Sequence, residues 1–107
     1  MLGHLYERAL DGERCWIRHD DGEVRLLPAH RWLNPADRPA HDTDGQRASD
    51  EAFDEAVAQM CSGPTIELGC GPARLVARLV QQGIPALGID RYAAAIRLAS
   101  RGGAPAL

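Results

Sequence analysis

The chain contains no lysine: all 12 of its basic residues are arginine. That excludes a Walker A lysine and any Schiff-base chemistry within this chain. Set against 15 acidic residues, the arginines leave a formal charge of -3. So mild an acidity provides no basic footprint for nucleic acid and no polybasic patch for a membrane surface. Neither is expected as a partner. No apolar run approaches the length of a membrane span, and the N-terminus lacks the charged-then-apolar pattern of a secretion signal. A cytoplasmic protein is the default expectation. Cys15, Cys61 and Cys70 are odd in number and show no CxxC spacing, so free thiols in a reducing compartment are expected. His4, His19, His30 and His41 show no metal-ligand spacing, and no metal is expected. A lysine-free chain rich in Ala, Arg, Gly and Pro also fits a GC-rich bacterial gene.

What is present fits one small domain. The 107 residues allow a modest core, and a hydrophobic content of 45% is too high for a disordered chain. Leu2, Leu5, Tyr6, Ala9 and Leu10 fall on one helical face, with Gly12 as a stop. Two β-rich runs, CWIRH and EVRLL, flank Asp20-Asp21-Gly22, which is a hairpin signal; Pro28 ends the second run. Residues 1–33 therefore read as a helix and β-hairpin extension. Residues 34–48 are Pro, Asp and Gly rich and read as a linker or mobile loop. From 49 onward the pattern is α/β. Ser49 is suited to cap a helix whose first turn holds Asp50 and Glu51. Phe53, Ala56, Val57 and Met60 then form an expected buried stripe.

The segment with chemical content is 65–90, TIELGCGPARLVARLVQQGIPALGID. A short apolar strand (Thr65–Leu68) runs into a glycine loop (Gly69, Gly71). Pro72 stands where the first helical residue is expected. Leu75, Val76, Leu79 and Val80 make the expected buried face of that helix, while Arg74, Arg78, Gln81 and Gln82 are expected to face water. Gly83 closes it. A second strand (Pro85–Ile89) ends on Asp90, and a last helix spans Ala93–Arg101. Ala104–Leu107 is placed to begin a third strand. A glycine loop lets the backbone approach a ligand closely, and the following helix N-terminus offers unpaired N–H groups. An acid about twenty residues on, at the tip of the next strand, is placed to accept ribose hydroxyls. The arrangement suits an adenosine-bearing cofactor.

A dinucleotide fingerprint reads GxGxxG. Here Gly69 and Gly71 fit, but Arg74 occupies the last glycine position. Instead E-x-G-x-G-x-A, followed by the acid after strand two, resembles motif I of the class I S-adenosylmethionine-dependent methyltransferases. The likeness runs through ELGCGPARL…GIDRYAAAIRLA and covers about residues 50–107. It implies the N-terminal part of a Rossmann-like, mostly parallel sheet with flanking helices, and S-adenosyl-L-methionine as cofactor. It implies that Glu67 orients the methionine end, that Gly69 and Gly71 line the loop, that the Cys70 backbone lies against the cofactor, and that Asp90 holds the ribose. Arg91 would border the adenine. Ala73 departs from the third glycine of many members; being small, it should be tolerated.

The same resemblance implies a larger sheet on a considerably longer chain, so the sequence reads as truncated after the second strand and its helix. The implied activity is methyl transfer to a small-molecule nucleophile, largely by in-line positioning. No catalytic base is identifiable. The N-terminal helix and hairpin would form a lid or substrate-side extension. Two other readings stay open: an NAD-binding oxidoreductase fragment, and a non-catalytic remnant pairing with another chain. The first strand would leave one edge unpaired and apolar, a route to self-association.

Overall fold

The computed structural model describes residues 2–39 and 44–107. Part of the expected linker, residues 40–43, lies outside the described residues. The chain is mixed α/β. Helix α1 (Leu2–Leu10) leads to strands β1 (Trp16–Arg18) and β2 (Val24–Leu26), then to 3-10 turns at Ala29–Trp32 and Pro35–Asp37. Helix α2 (Asp44–Gln59), strand β3 (Thr65–Leu68), helix α3 (Arg74–Gln81), strand β4 (Ala86–Ile89) and helix α4 (Ala93–Arg101) follow.

The β1–β2 pair is an antiparallel hairpin with Trp16 opposite Leu26; around the expected Asp-Gly turn the His19 N–H donates to the Glu23 carbonyl and the Gly22 N–H to the His19 carbonyl. The β3 and β4 strands pair in parallel, with Glu67 opposite Gly88 and Leu68 opposite Ile89. Parallel neighbours need a crossover, and α3 supplies it. Gly88 also bridges Ala106 in parallel, so the last residues do lie along β4 as an incipient third strand. The other edge of β3 has no strand beside it among the described residues.

Helix α3 covers one face of this sheet. Val76 and Leu79 are wholly buried, and Val76 packs with Cys70, Ala73, Ala77, Ala99 and Ala104. Full burial of a Val or Leu side chain is worth about 1.5–3 kcal/mol. Gly83 follows the helix with φ +80°, and the Ile84 N–H reaches back to the Leu79 carbonyl, the closing turn expected of a glycine there. Leu75 is only half-buried, and Val80 is exposed, at the helix margin.

Three further expectations are corrected. First, α2 starts at Asp44, so Ser49 lies inside the helix instead of capping it. Second, the stripe of Phe53, Ala56, Val57 and Met60 is not buried: Phe53 is 66% and Met60 82% exposed. The side of α2 turned inward carries Asp50, Asp54 and Ala58, which are buried. Ion pairs explain the orientation. Arg31 and Arg38 hold Asp50, and Arg74 and Arg78 of α3 hold Asp54 and Glu55. Third, Arg74 and Arg78 are therefore not a solvated face; they tie α3 to α2.

Candidate cofactor site

The β3 strand ends at Leu68, and the Gly69 and Cys70 N–H groups both donate to the Ile89 carbonyl, at 2.8 and 3.0 Å. The loop is thereby fixed to the tip of β4. Gly69 and Gly71 have φ of +69° and +57°, the left-handed region where an L side chain is strained. Nothing lies within 4 Å of where a Gly69 Cβ would stand, whereas one on Gly71 would meet the Tyr6 hydroxyl at 3.0 Å. Ala73 shares the left-handed geometry at φ +61°, which costs a non-glycine residue about 1–2 kcal/mol. Its methyl is buried in the α3 cluster, so the small residue is accommodated there. With Ala73 as the cap, α3 begins at Arg74, and Pro72 sits in the loop instead of opening the helix.

Asp90 stands at the end of β4. One carboxylate oxygen accepts the Gly71 N–H at 2.9 Å, and the other accepts the Tyr92 N–H at 2.9 Å. A carboxylate has about four acceptor positions, so two remain for a ligand. Asp90 thus shapes the glycine loop as well as marking its rim.

Glu67 lies on the α3 side of the sheet, beneath the loop. Its Oε2 is buried with no hydrogen-bond partner. Burial raises its carboxyl above the usual 4.5, nearby Asp54 adds to the rise, and Arg74 opposes it. An unmatched buried acceptor is costly, and its position invites a donor or cation from a ligand.

These groups border a cavity of about 240 Å³ lined by Tyr6, Trp32, Glu67, Gly69, Cys70, Gly71, Pro72, Arg74 and Leu75. Of the residues expected at the site, Glu67, Gly69, Cys70 and Gly71 line this cavity. Asp90 touches it through Gly71. Arg91 does not line it; its guanidinium lies over the Tyr92 ring, 5.4 Å from the centroid. Sequence reasoning missed Tyr6 and Trp32, which arrive from α1 and the first 3-10 turn. No local motif marks them. Tyr6 is the pivot of an aromatic group, 5.6 Å from Trp32 and 5.2 Å from Tyr92 between ring centroids.

Two protonation states follow. Burial, aided by Asp90, pushes the Tyr6 phenol up to about 12. Burial, then Asp90 and Glu67, push the Cys70 thiol up to about 11. Both stay protonated at neutral pH, so neither is an activated nucleophile or base there. A second cavity, of about 520 Å³, lies between α2, α3 and the 3-10 turns. Of its charged lining, Arg38, Asp50, Arg74, Asp54 and Arg101 are engaged in the Arg38–Asp50, Arg74–Asp54 and Arg101–Asp37 pairs, which hold elements together. Asn34, within the expected linker, also serves the site: its side-chain amide donates to the Pro72 carbonyl at 3.2 Å.

Among the described residues, no helix is long and apolar enough to cross a membrane. No protein-family model matches the chain, and no curated protein matches it by sequence. Its fold is similar to that of a solved SAM-dependent methyltransferase from Bacteroides fragilis in complex with S-adenosyl-L-homocysteine, with a TM-score of 0.62 and 13% identity. The match covers 98% of this chain and 40% of that one. At this identity the likeness shows the α/β fold alone, and the chain spans less than half the length of that protein.

Proposed function

We propose that the chain carries the S-adenosyl-L-methionine-binding portion of a methyltransferase acting on a small-molecule nucleophile. The observation that carries this reading is the unpartnered, buried Oε2 of Glu67 beneath a positive-φ glycine loop, with Asp90 at the tip of the neighbouring parallel strand. The residues suit the cofactor on three grounds. Glu67 supplies an acceptor for its cationic end, the open space at Gly69 admits a close backbone approach, and Asp90 keeps two acceptor positions. The cavity is smaller than the roughly 300 Å³ at which small-molecule sites usually begin, so a nucleoside-bearing ligand would extend past it over the open Gly69 side.

When bound, the cofactor supplies a methyl group already activated by the sulfonium charge. This chain's part is to bind and orient it, since in-line positioning lowers the barrier without a proton transfer. Tyr6 and Cys70, protonated at neutral pH, wall the site without competing as nucleophiles. Calorimetry on the purified chain is expected to show S-adenosyl-L-homocysteine binding, weakened at least about tenfold by Asp90→Ala, a loss of about 1.4 kcal/mol. A folded sample that binds NADH and not S-adenosyl-L-homocysteine would overturn the reading in favour of an oxidoreductase fragment.

A second reading rests on the sheet itself. Ile66 and Leu68 are 62% and 78% exposed on an edge strand. Such a strand favours pairing with a second copy. Concentration-dependent dimers by size exclusion, without cofactor binding, would favour a non-catalytic assembly role.

A further inference from the structure

The chain has only five aromatic side chains, and three of them, Tyr6, Trp32 and Tyr92, converge beside the glycine loop. They come from three separate elements: α1, the first 3-10 turn and the start of α4. Close packing locks α1 in place. Gly3 lies so tightly against the Tyr92 ring that any side chain there would collide with it. Tyr6, one turn on, reaches over Gly71. Tyr6 and Tyr92 pack on the small core of Leu10, Ala94 and Ala95, yet that packing leaves Tyr6 and Trp32 open to the cavity beside the loop. Tyr6 is half-buried and Trp32 is 36% exposed, and both line the cavity that Glu67, with its unpartnered buried Oε2, also lines. Two aromatic faces with one unmatched carboxylate form a lining that favours a cation over a neutral group of the same shape.

We propose that Tyr6 and Trp32 are specificity-determining residues of this site, reading the positive charge of the methyl donor so that the charged donor is favoured relative to the neutral thioether product. The inference rests on the cofactor reading above and assigns α1 a place within the binding site, not outside it. Donor and product differ in one methyl group and one charge, so a lining of neutral aliphatic residues would discriminate weakly between them. A desolvated aromatic face is worth about 3- to 30-fold toward a cation. The phenol suits this role because it stays uncharged at neutral pH, held protonated by its burial and by Asp90.

The test compares S-adenosyl-L-methionine with S-adenosyl-L-homocysteine by calorimetry, on the wild-type chain, Tyr6→Leu and Trp32→Leu. Leucine keeps apolar bulk and removes the aromatic face. Circular dichroism and thermal melting identify which variants remain folded, and two independent positions keep the test available if one does not. The expected result is that either variant weakens donor binding by about 3- to 30-fold more than product binding. Equal weakening of both ligands, or no change in their ratio, in a folded variant would overturn the proposal while leaving the cofactor reading intact. Failure of the folded wild-type chain to bind either ligand would overturn both.

Discussion

The two faces of the β3–β4 sheet differ in residues and in fate, and the more apolar face is the one left bare. On one, Thr65, Glu67, Ala86 and Gly88 lie on the α3 side, where Gly88 meets Cys70 and the wholly buried Val76. On the other, Ile66, Leu68 and Ile89 stay exposed, with Leu107 at the end of the chain 73% exposed beside them. The lesson is that strand composition does not decide burial. The crossover helix packs on one side only, and among the described residues no element lies over the other. The same asymmetry recurs in α2, where the acidic side is buried and the apolar side is bare. In both cases, what lies opposite a residue outweighs its own hydrophobicity.

The sharpest way to break the comparison is to truncate one leucine on each side. Leu79→Ala should cost about 2–5 kcal/mol in urea unfolding, through lost contact and a residual cavity. Leu68→Ala should change stability by less than about 0.5 kcal/mol. Equal losses would mean that the second face is covered in solution.

A smaller effect is expected at the charged seam that turns the acidic side of α2 inward. Asp50 is held by Arg31, Arg38 and Gln46, which together keep its carboxyl well below the usual 3.8 despite desolvation. A depressed native value means the stabilisation is present above 3.8 and is lost as pH falls through the native value. Asp50→Asn should therefore lower stability by about 2 kcal/mol at pH 7, with the gap closing in acid. A gap independent of pH would show that the ion pairs do not orient this helix.

The smallest effect has the opposite sign. Glu67, beneath the covered face, is raised by burial, so the native state holds its proton more tightly than the unfolded chain does. Its charge then costs stability as pH rises through the raised value. Glu67→Gln should make the ligand-free chain slightly more stable at pH 7, by at most about 1 kcal/mol. The gain should vanish below pH 4.5. A loss of stability at neutral pH would show that the carboxylate has a partner after all.

Much of the α/β half was legible because its signals are local. The first strand of the parallel pair and α4 run over the residues that composition and punctuation marked, Thr65–Leu68 and Ala93–Arg101. Gly69 and Gly71 take positive φ, and Asp90, just past the second strand, accepts the Gly71 N–H. The stripe at Phe53 and Met60 misled because periodicity reports that a helix has an apolar side, not that anything faces it. Arg74 and Arg78 looked like solvent-facing residues because their partners Asp54 and Glu55 are 20 and 23 positions away.

The sequence by itself determined the backbone of the site: a glycine loop between strand and helix, an acid before it and an acid at the next strand tip. Those features follow from steric limits on φ and from short-range hydrogen bonding, which act between near neighbours. Only the tertiary structure decided which side chains wall the cavity. Tyr6 and Trp32 join Glu67 and Gly71 in lining it through the placement of α1 and a 3-10 turn, across large separations in sequence that no local pattern encodes.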